Sequence, residues 1–272
     1  MIAELQRLLA AQPKSQAIAL ALGRALLEAG EADGAARVLA ALTNSRGSCR
    51  KRALAAVVEA ERMKALQRSP AGYVRHLFDQ FAPDYDRCMV ADLNYRAPAI
   101  LRALAEMVMG SMTDLDVLDL GCGTGLAAAA FRDVAQRLDG VDLSPRSIER
   151  ARAREIYTDL FVADLEDFLQ RHGRRYDLLI AADTLVYFGD LASVFRGAFR
   201  RLRGGRFFLF TVEKQVEPGF SLGPKRRYHH SGEYLRDAAV AAGFAVMGLL
   251  DCTPRFGAGQ PVDGLAVALQ RP

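Results

Sequence analysis

The segment Val117-Leu-Asp-Leu-Gly-Cys-Gly-Thr-Gly125 sets an acid, Asp119, just ahead of three alternate glycines. A second acid, Asp142, closes the next apolar run, Leu138-Asp-Gly-Val-Asp142. An apolar run ending in an acid reads as a buried strand that delivers a carboxylate to a turn. Gly121, Gly123 and Gly125 let the backbone come close to a ligand and take dihedrals that side chains forbid. In a Rossmann-like site the acid ending the second strand grips a ribose diol, because a carboxylate can accept from both hydroxyls. Asp164 after Phe161-Val-Ala and Asp183 after Leu179-Ile-Ala-Ala repeat the pattern. Any one of these acids would be read as a helix N-cap. Four of them, ending four successive strands, describe the carboxyl edge of an open α/β sheet, where ligands bind.

A dinucleotide fingerprint needs Gly-x-Gly-x-x-Gly, and position 126 is Leu, so the third glycine falls one residue early. With the acid before the first glycine, the motif resembles the first motif of class I S-adenosylmethionine-dependent methyltransferases. The resemblance implies S-adenosylmethionine as cofactor. It places Asp119 near the ammonium, the backbone of Gly121, Cys122 and Gly123 along the methionine carboxylate and ribose, and Asp142 on the ribose hydroxyls. Asp164 would then face the adenine amine, with Leu143 and Leu165 on the adenine faces and Asp183 beside the sulfonium. Cys122 reads as a small filler of the loop rather than a nucleophile.

The methyl acceptor is less visible. After the fourth strand the sequence is Asp183-Thr-Leu-Val-Tyr187, not the Asn/Asp-Pro-Pro-aromatic of amino-methylating enzymes, and no Pro-Cys pair suggests a pyrimidine-carbon nucleophile. A small molecule with O, N or C as acceptor is what remains. Glu213 at the end of the fifth strand, and Tyr228-His229-His230 in the loop that follows, are the candidates for acceptor chemistry. A histidine near neutral pH can take a proton from a hydroxyl, and His230 is the one expected to do so, with Tyr228 orienting the acceptor. A tRNA or protein methyltransferase, a non-catalytic cofactor-binding interaction protein and a dinucleotide oxidoreductase are the rival readings.

Positioning these residues takes a regular alternation of strands and helices from Leu115 onward. Strands are expected at Asp116–Leu120, Gly140–Asp142, Leu160–Ala163, Tyr176–Ala182 and Arg206–Val212, with a turn at Gly204-Gly205. The runs Phe244–Cys252 and Gly264–Gln270, joined by a looped connection, predict an antiparallel edge hairpin. The expected fold is α/β, a Rossmann-like doubly wound seven-stranded sheet of the class I methyltransferase kind.

Three regions are expected: a helical extension over 1–68, a helical lid over 69–110 and the cofactor-binding core over 111–272. Ser69-Pro-Ala-Gly72 marks the first boundary. In the lid, Leu77, Phe78, Phe81, Tyr85 and Met89 form an apolar helical stripe interrupted at Pro83, and Tyr73, Phe78, Phe81 and Tyr85 are expected to cover the cofactor. The segment from about residue 70 resembles a bacterial family of predicted methyltransferases carrying tetratricopeptide repeats. In the extension, Leu22-Gly23, Ala35 and Leu39 fit one such repeat, with helices near Ser15–Ala29 and Asp33–Leu42, Gly30 and Gly34 marking the turn, and a partial second unit in Arg52–Leu66. A single repeat cannot bury its own apolar face, which calls for the catalytic domain, a second copy (a homodimer) or a protein partner.

Charge supports a small-molecule enzyme. Residues 1–70 carry 11 Lys+Arg against 6 Asp+Glu, and the rest 25 against 26. A neutral catalytic part lacks the basic groove of a nucleic-acid enzyme. No apolar stretch approaches the ~20 residues of a membrane span, and the amino terminus does not read as a signal peptide. Cys49, Cys88, Cys122 and Cys252 have neither metal-ligand nor disulfide spacing, so no metal is expected and a reducing cytoplasm fits.

Overall fold

The computed structural model describes residues 1–29, 31–43 and 47–272. The chain divides into two compact units, Met1–Arg68 with Ser221–Tyr228, and Ser69–Phe220 with His229–Pro272.

The first unit is helical: α1 (Ile2–Ala11), α2 (Gln16–Glu28), α3 (Ala32–Ala40) and α4 (Gly47–Ala65). Ser15 starts α2 by accepting the Ile18 N–H on its hydroxyl, a conventional N-cap. Gly23 explains why α2 and α3 can pack closely, since a Cβ there would lie 2.5 Å from the Leu39 side chain. Leu22, Leu26, Ala35, Leu39 and Ala53 are buried together, so the residues expected at the repeat's inner positions do form its core. Gly34 lies within the first turn of α3 rather than in the interhelical turn, and Gly30 falls outside the described residues. The first helix, α1, was not apparent as a separate element in the sequence.

Ser221–Tyr228 joins this unit although it lies far along the chain. The Lys225 N–H donates to the Ala29 carbonyl at 2.7 Å, and the Tyr228 hydroxyl donates to the Leu66 carbonyl at 2.8 Å. The boundaries expected from the sequence place this stretch in the cofactor-binding core instead.

The second unit holds α5 (Ala71–Phe81), α6 (Tyr85–Arg87), α7 (Ala97–Met109), α8 (Leu126–Ala129), α9 (Pro145–Arg152), α10 (Leu165–Arg171), α11 (Ala192–Arg201) and α12 (Gly232–Ala241). Its strands are β1 (Leu115–Leu120), β2 (Ala135–Asp142), β3 (Asp159–Val162), β4 (Tyr176–Ala181) and β5 (Leu202–Lys214). The chain then passes through β6 (Phe220–Leu222) and β7 (Tyr228–His230) at the two crossings between units, and ends with β8 (Ala245–Cys252), the short β9 (Phe256–Gly257) and β10 (Gln260–Pro261), and β11 (Gly264–Gln270). The sheet order is β3-β2-β1-β4-β5-β11-β8. The first five strands are parallel and β11 is antiparallel to both neighbours. This is the doubly wound sheet with a terminal hairpin that the sequence predicts.

Successive residues of the central strands bury to opposite faces. Leu118, Leu179, Phe208 and Phe210 meet α10, α11 and α12 residues such as Phe195 and Leu235 on one side. Val117, Leu178, Ile180 and Leu209 meet Leu101 and Leu104 of α7 on the other. Apolar burial on both faces is what a parallel sheet demands. Gly204-Gly205 does not turn the chain; it lies inside β5, where the Gly205 N–H donates to the Arg271 carbonyl at 2.7 Å. The carboxyl ends of β1, β2, β4 and β5 therefore open on one edge, each delivering one of the expected acids or the glycine loop.

Candidate cofactor and acceptor site

β1 ends in the glycine loop, with Gly121, Gly123 and Gly125 all at positive φ. At Gly121 the reason is contact, because a Cβ would lie 2.2 Å from Thr184 Cγ2. At Gly123 a Cβ would meet nothing within 4 Å, so its missing side chain leaves open space above the loop. Asp142, half-buried at the end of β2, fixes this loop. Its Oδ2 accepts the Gly123 N–H at 2.9 Å and its Oδ1 the Ser144 N–H at 2.8 Å. Each oxygen keeps a lone pair for a further donor. Burial pushes the Asp142 carboxyl above its usual range, against the backbone N–H bonds from Ser144 and Gly123 that pull it down.

Asp119 is 1% exposed. The Tyr157 hydroxyl donates to its Oδ2 at 2.9 Å, while its Oδ1 has no partner among the described residues. Burial, opposed by the Tyr157 bond and reinforced by the nearby Asp142 charge, pushes Asp119 up to about 7. Burial likewise pushes the Cys122 thiol well above its ordinary range; it is packed in the loop, as a small filler should be. An orphaned buried carboxylate oxygen beside an open glycine loop fits a ligand that brings a cation and a diol.

Asp164, two residues beyond β3, caps α10, its Oδ1 accepting the Glu166 N–H at 3.0 Å. Leu165, the first residue of α10, is buried in the core, and Leu143 is half-buried. Asp183 follows β4 at φ 59°.

The lid is tied to the loop by acids that the sequence reading passed over. Asp86 of α6 accepts from the Thr124 hydroxyl and pairs with Arg154. Asp79 of α5 accepts the Ser144 hydroxyl at 2.6 Å, and that bond holds its carboxyl below the ordinary range. Tyr85 packs on Phe81 and Phe78, which meets Tyr187 edge-on at 5.6 Å. Tyr73 sits half-buried in the first turn of α5.

At the ends of β4 and β5 the structure assembles a buried polar cluster. Arg255, from the segment between β8 and β11, donates from Nε to Asp183 at 3.0 Å and pairs with Glu213 Oε1 through its terminal nitrogen. Glu213 Oε2 lies 2.9 Å from His229 Nε2. Arg255 belongs to no local motif that would mark it in the sequence. Tyr228 and His230, also expected at the acceptor, are turned away from this cluster. The Tyr228 ring is buried, with its hydroxyl donating to the Leu66 carbonyl. His230 is 0% exposed, its Nε2 3.0 Å from the Gly189 carbonyl, and burial pushes it down to about 4. The alternation of β7 turns His229, not His230, toward Glu213.

Residues 117–205 match the methyltransferase domain family, and residues 2–58 match the tetratricopeptide repeat. By that match, residues 117–205 form a methyltransferase domain. Human methyltransferase-like protein 27 is 41% identical over 92 residues, which are 33% of this chain and 37% of that protein. The ubiquinone biosynthesis O-methyltransferase of Proteus mirabilis is 27% identical over 111 residues, 39% of this chain and 45% of that protein. The chain thus spans less than half the length of either relative. The methyltransferase domain shares its fold with magnesium protoporphyrin IX methyltransferase from Synechocystis, solved with bound S-adenosylhomocysteine, at a TM-score of 0.59 and 17% identity over 74% of this chain and 99% of that one. Among the described residues, no helix is long and apolar enough to cross a membrane.

Proposed function

We propose that this protein is an S-adenosylmethionine-dependent methyltransferase acting on a small-molecule acceptor in a reducing cytoplasm. The observation that carries the reading is the Asp142–Gly123 hydrogen bond, which locks the glycine loop to the end of β2 and leaves the carboxylate able to accept two more donors. In this reading Asp142 takes the ribose hydroxyls and the free Oδ1 of Asp119 meets the ammonium. Gly121, Cys122 and Gly123 line the methionine end with backbone. Asp164 takes the adenine amine, Leu143 and Leu165 flank the ring, Asp183 lies on the sulfonium side, and Tyr73 and Tyr85 cover the site. The cofactor supplies an activated methyl group, so the protein's task is to position and desolvate the acceptor.

A small-molecule acceptor is supported by the near-neutral charge of residues 71–272 and by what the ubiquinone biosynthesis relatives are named for. The tetratricopeptide match supports a protein partner or self-association through the helical unit. Calorimetry with S-adenosylmethionine and with NAD tests the core of this proposal. Micromolar binding of the former and none of the latter is expected; the reverse result rejects it.

A further inference from the structure

We infer that His229 and Glu213 form a proton-accepting pair, and that the methyl acceptor is a hydroxyl group. The inference rests on the methyltransferase reading above. Backbone pairing, rather than a free loop, brings the two residues together: β7 runs parallel to the end of β5, with Glu213 opposite His229 in register. The imidazole Nε2 then lies 2.9 Å from Glu213 Oε2. The carboxylate cannot swing away, because Arg255 holds its other oxygen and is itself held by Asp183. Side chains of Asp183, Glu213 and Arg255 are all nearly buried, whereas His229 is 28% exposed. The histidine is thus the accessible end of a fixed chain of charges.

The chemistry of the partner sets the tautomer. An ionised carboxylate only accepts hydrogen bonds, so Nε2 carries the proton toward Glu213 and Nδ1 keeps its lone pair. Among the described residues nothing donates to that Nδ1, and a bare, partly exposed imidazole nitrogen backed by a carboxylate is a general base. As the acceptor oxygen forms its bond to the methyl carbon, its proton passes to Nδ1. The carbon–sulfur bond breaks with its electron pair left on sulfur, which becomes a neutral thioether. The imidazolium that results is balanced by Glu213, and its proton leaves to solvent. A hydroxyl is the acceptor that needs this help, since it is a poor nucleophile until its proton is removed. A neutral amine or a thiolate attacks without it.

The test uses the full-length protein labelled with ¹⁵N-histidine. Wild type should show His229 with Nε2 protonated and Nδ1 bare, and Glu213→Gln should lose this single tautomer, because glutamine can donate as well as accept. The opposite tautomer in wild type overturns the inference. In parallel, labelled S-adenosylmethionine is offered with an equimolar mixture of catechol, benzylamine and benzenethiol. Transfer to catechol, reduced about 10²-fold or more in His229→Asn with cofactor affinity within a few-fold of wild type, is expected. Transfer to the amine or thiol with none to catechol, or a His229→Asn variant with full turnover, overturns it. Failure of wild type to bind S-adenosylmethionine in calorimetry rejects the methyltransferase reading instead, so the two failures are distinct.

Discussion

Asp142 Oδ2 accepts the backbone N–H of Gly123 at 2.9 Å, so one carboxylate both shapes the glycine loop and faces the space where a ribose would lie. Asp142→Ala therefore removes two functions together. Each charge-assisted hydrogen bond contributes about 1.5–3 kcal/mol, so affinity for S-adenosylmethionine should fall at least about tenfold while the fold persists. Titration calorimetry checks this, with circular dichroism as the control. Unchanged affinity would move the ribose contact elsewhere.

Two glycines of the same loop should respond differently to alanine. At Gly121 the added Cβ would lie 2.2 Å from Thr184 at a φ of 70°, so Gly121→Ala should lower the melting temperature by several degrees. At Gly123 the φ of 53° costs about 1–2 kcal/mol, but the Cβ enters open space. Gly123→Ala should fold and lose cofactor affinity. A variant pair with the same stability and the same affinity would show that the space above Gly123 is not the binding face.

His230→Ala should act on stability rather than turnover. The ring is fully buried, stacked on Tyr234 at 5.8 Å and bonded to the Gly189 carbonyl. Emptying such a site costs about 2–5 kcal/mol, measurable by urea denaturation. Wild-type stability with lost turnover would return His230 to the acceptor site.

The parts of the site legible in the sequence are the local ones. Asp119, the glycines and Asp142 lie within one strand-loop-helix-strand unit, so residue type and short spacing carry their meaning. Arg255 was invisible because it meets Asp183 and Glu213 across 72 and 42 residues, through a sheet register that no local pattern encodes. The choice between His229 and His230 depended on the pairing of β7 with β5, where a shift of one residue exchanges the faces. Ser221–Tyr228 has too few residues for any periodicity to assign it to the helical unit. Gly204-Gly205 read as a turn because glycine pairs usually punctuate, whereas pairing with the chain's last residues keeps them in β5.

Asp119 should make the protein less stable as pH rises from about 4 to 7. The unfolded carboxyl ionises near its ordinary value of 3.8, while the buried one holds its proton up to about 7. In that interval the folded state binds more protons, so stability falls with increasing pH and levels off above 7. The raised carboxyl of Asp142 adds to the same slope. Asp119→Asn should flatten the dependence of the urea midpoint between pH 5 and 7, leaving the Asp142 contribution. A profile identical to wild type would show that Asp119 is ionised in the folded protein.

Deleting residues 1–65 should separate stability from cofactor binding. The segment it strips of support is strained: Lys225 and Arg226 sit side by side at φ 58° and 55°, each costing about 1–3 kcal/mol. Lys225 keeps that geometry with its N–H on the Ala29 carbonyl, and the buried Tyr228 donates its hydroxyl to the Leu66 carbonyl. Burial of a large apolar side chain contributes about 1.5–3 kcal/mol, so without α1–α4 the segment loses what offsets its strain and exposes an aromatic ring. The expected outcome is aggregation or an altered oligomeric state by light scattering, with S-adenosylmethionine affinity in the soluble fraction within a few-fold of wild type. Affinity should survive because every proposed cofactor residue, from Tyr73 to Asp183, belongs to the second unit. A monodisperse truncated protein melting at the wild-type temperature would show that the helices do not hold Ser221–Tyr228 in place.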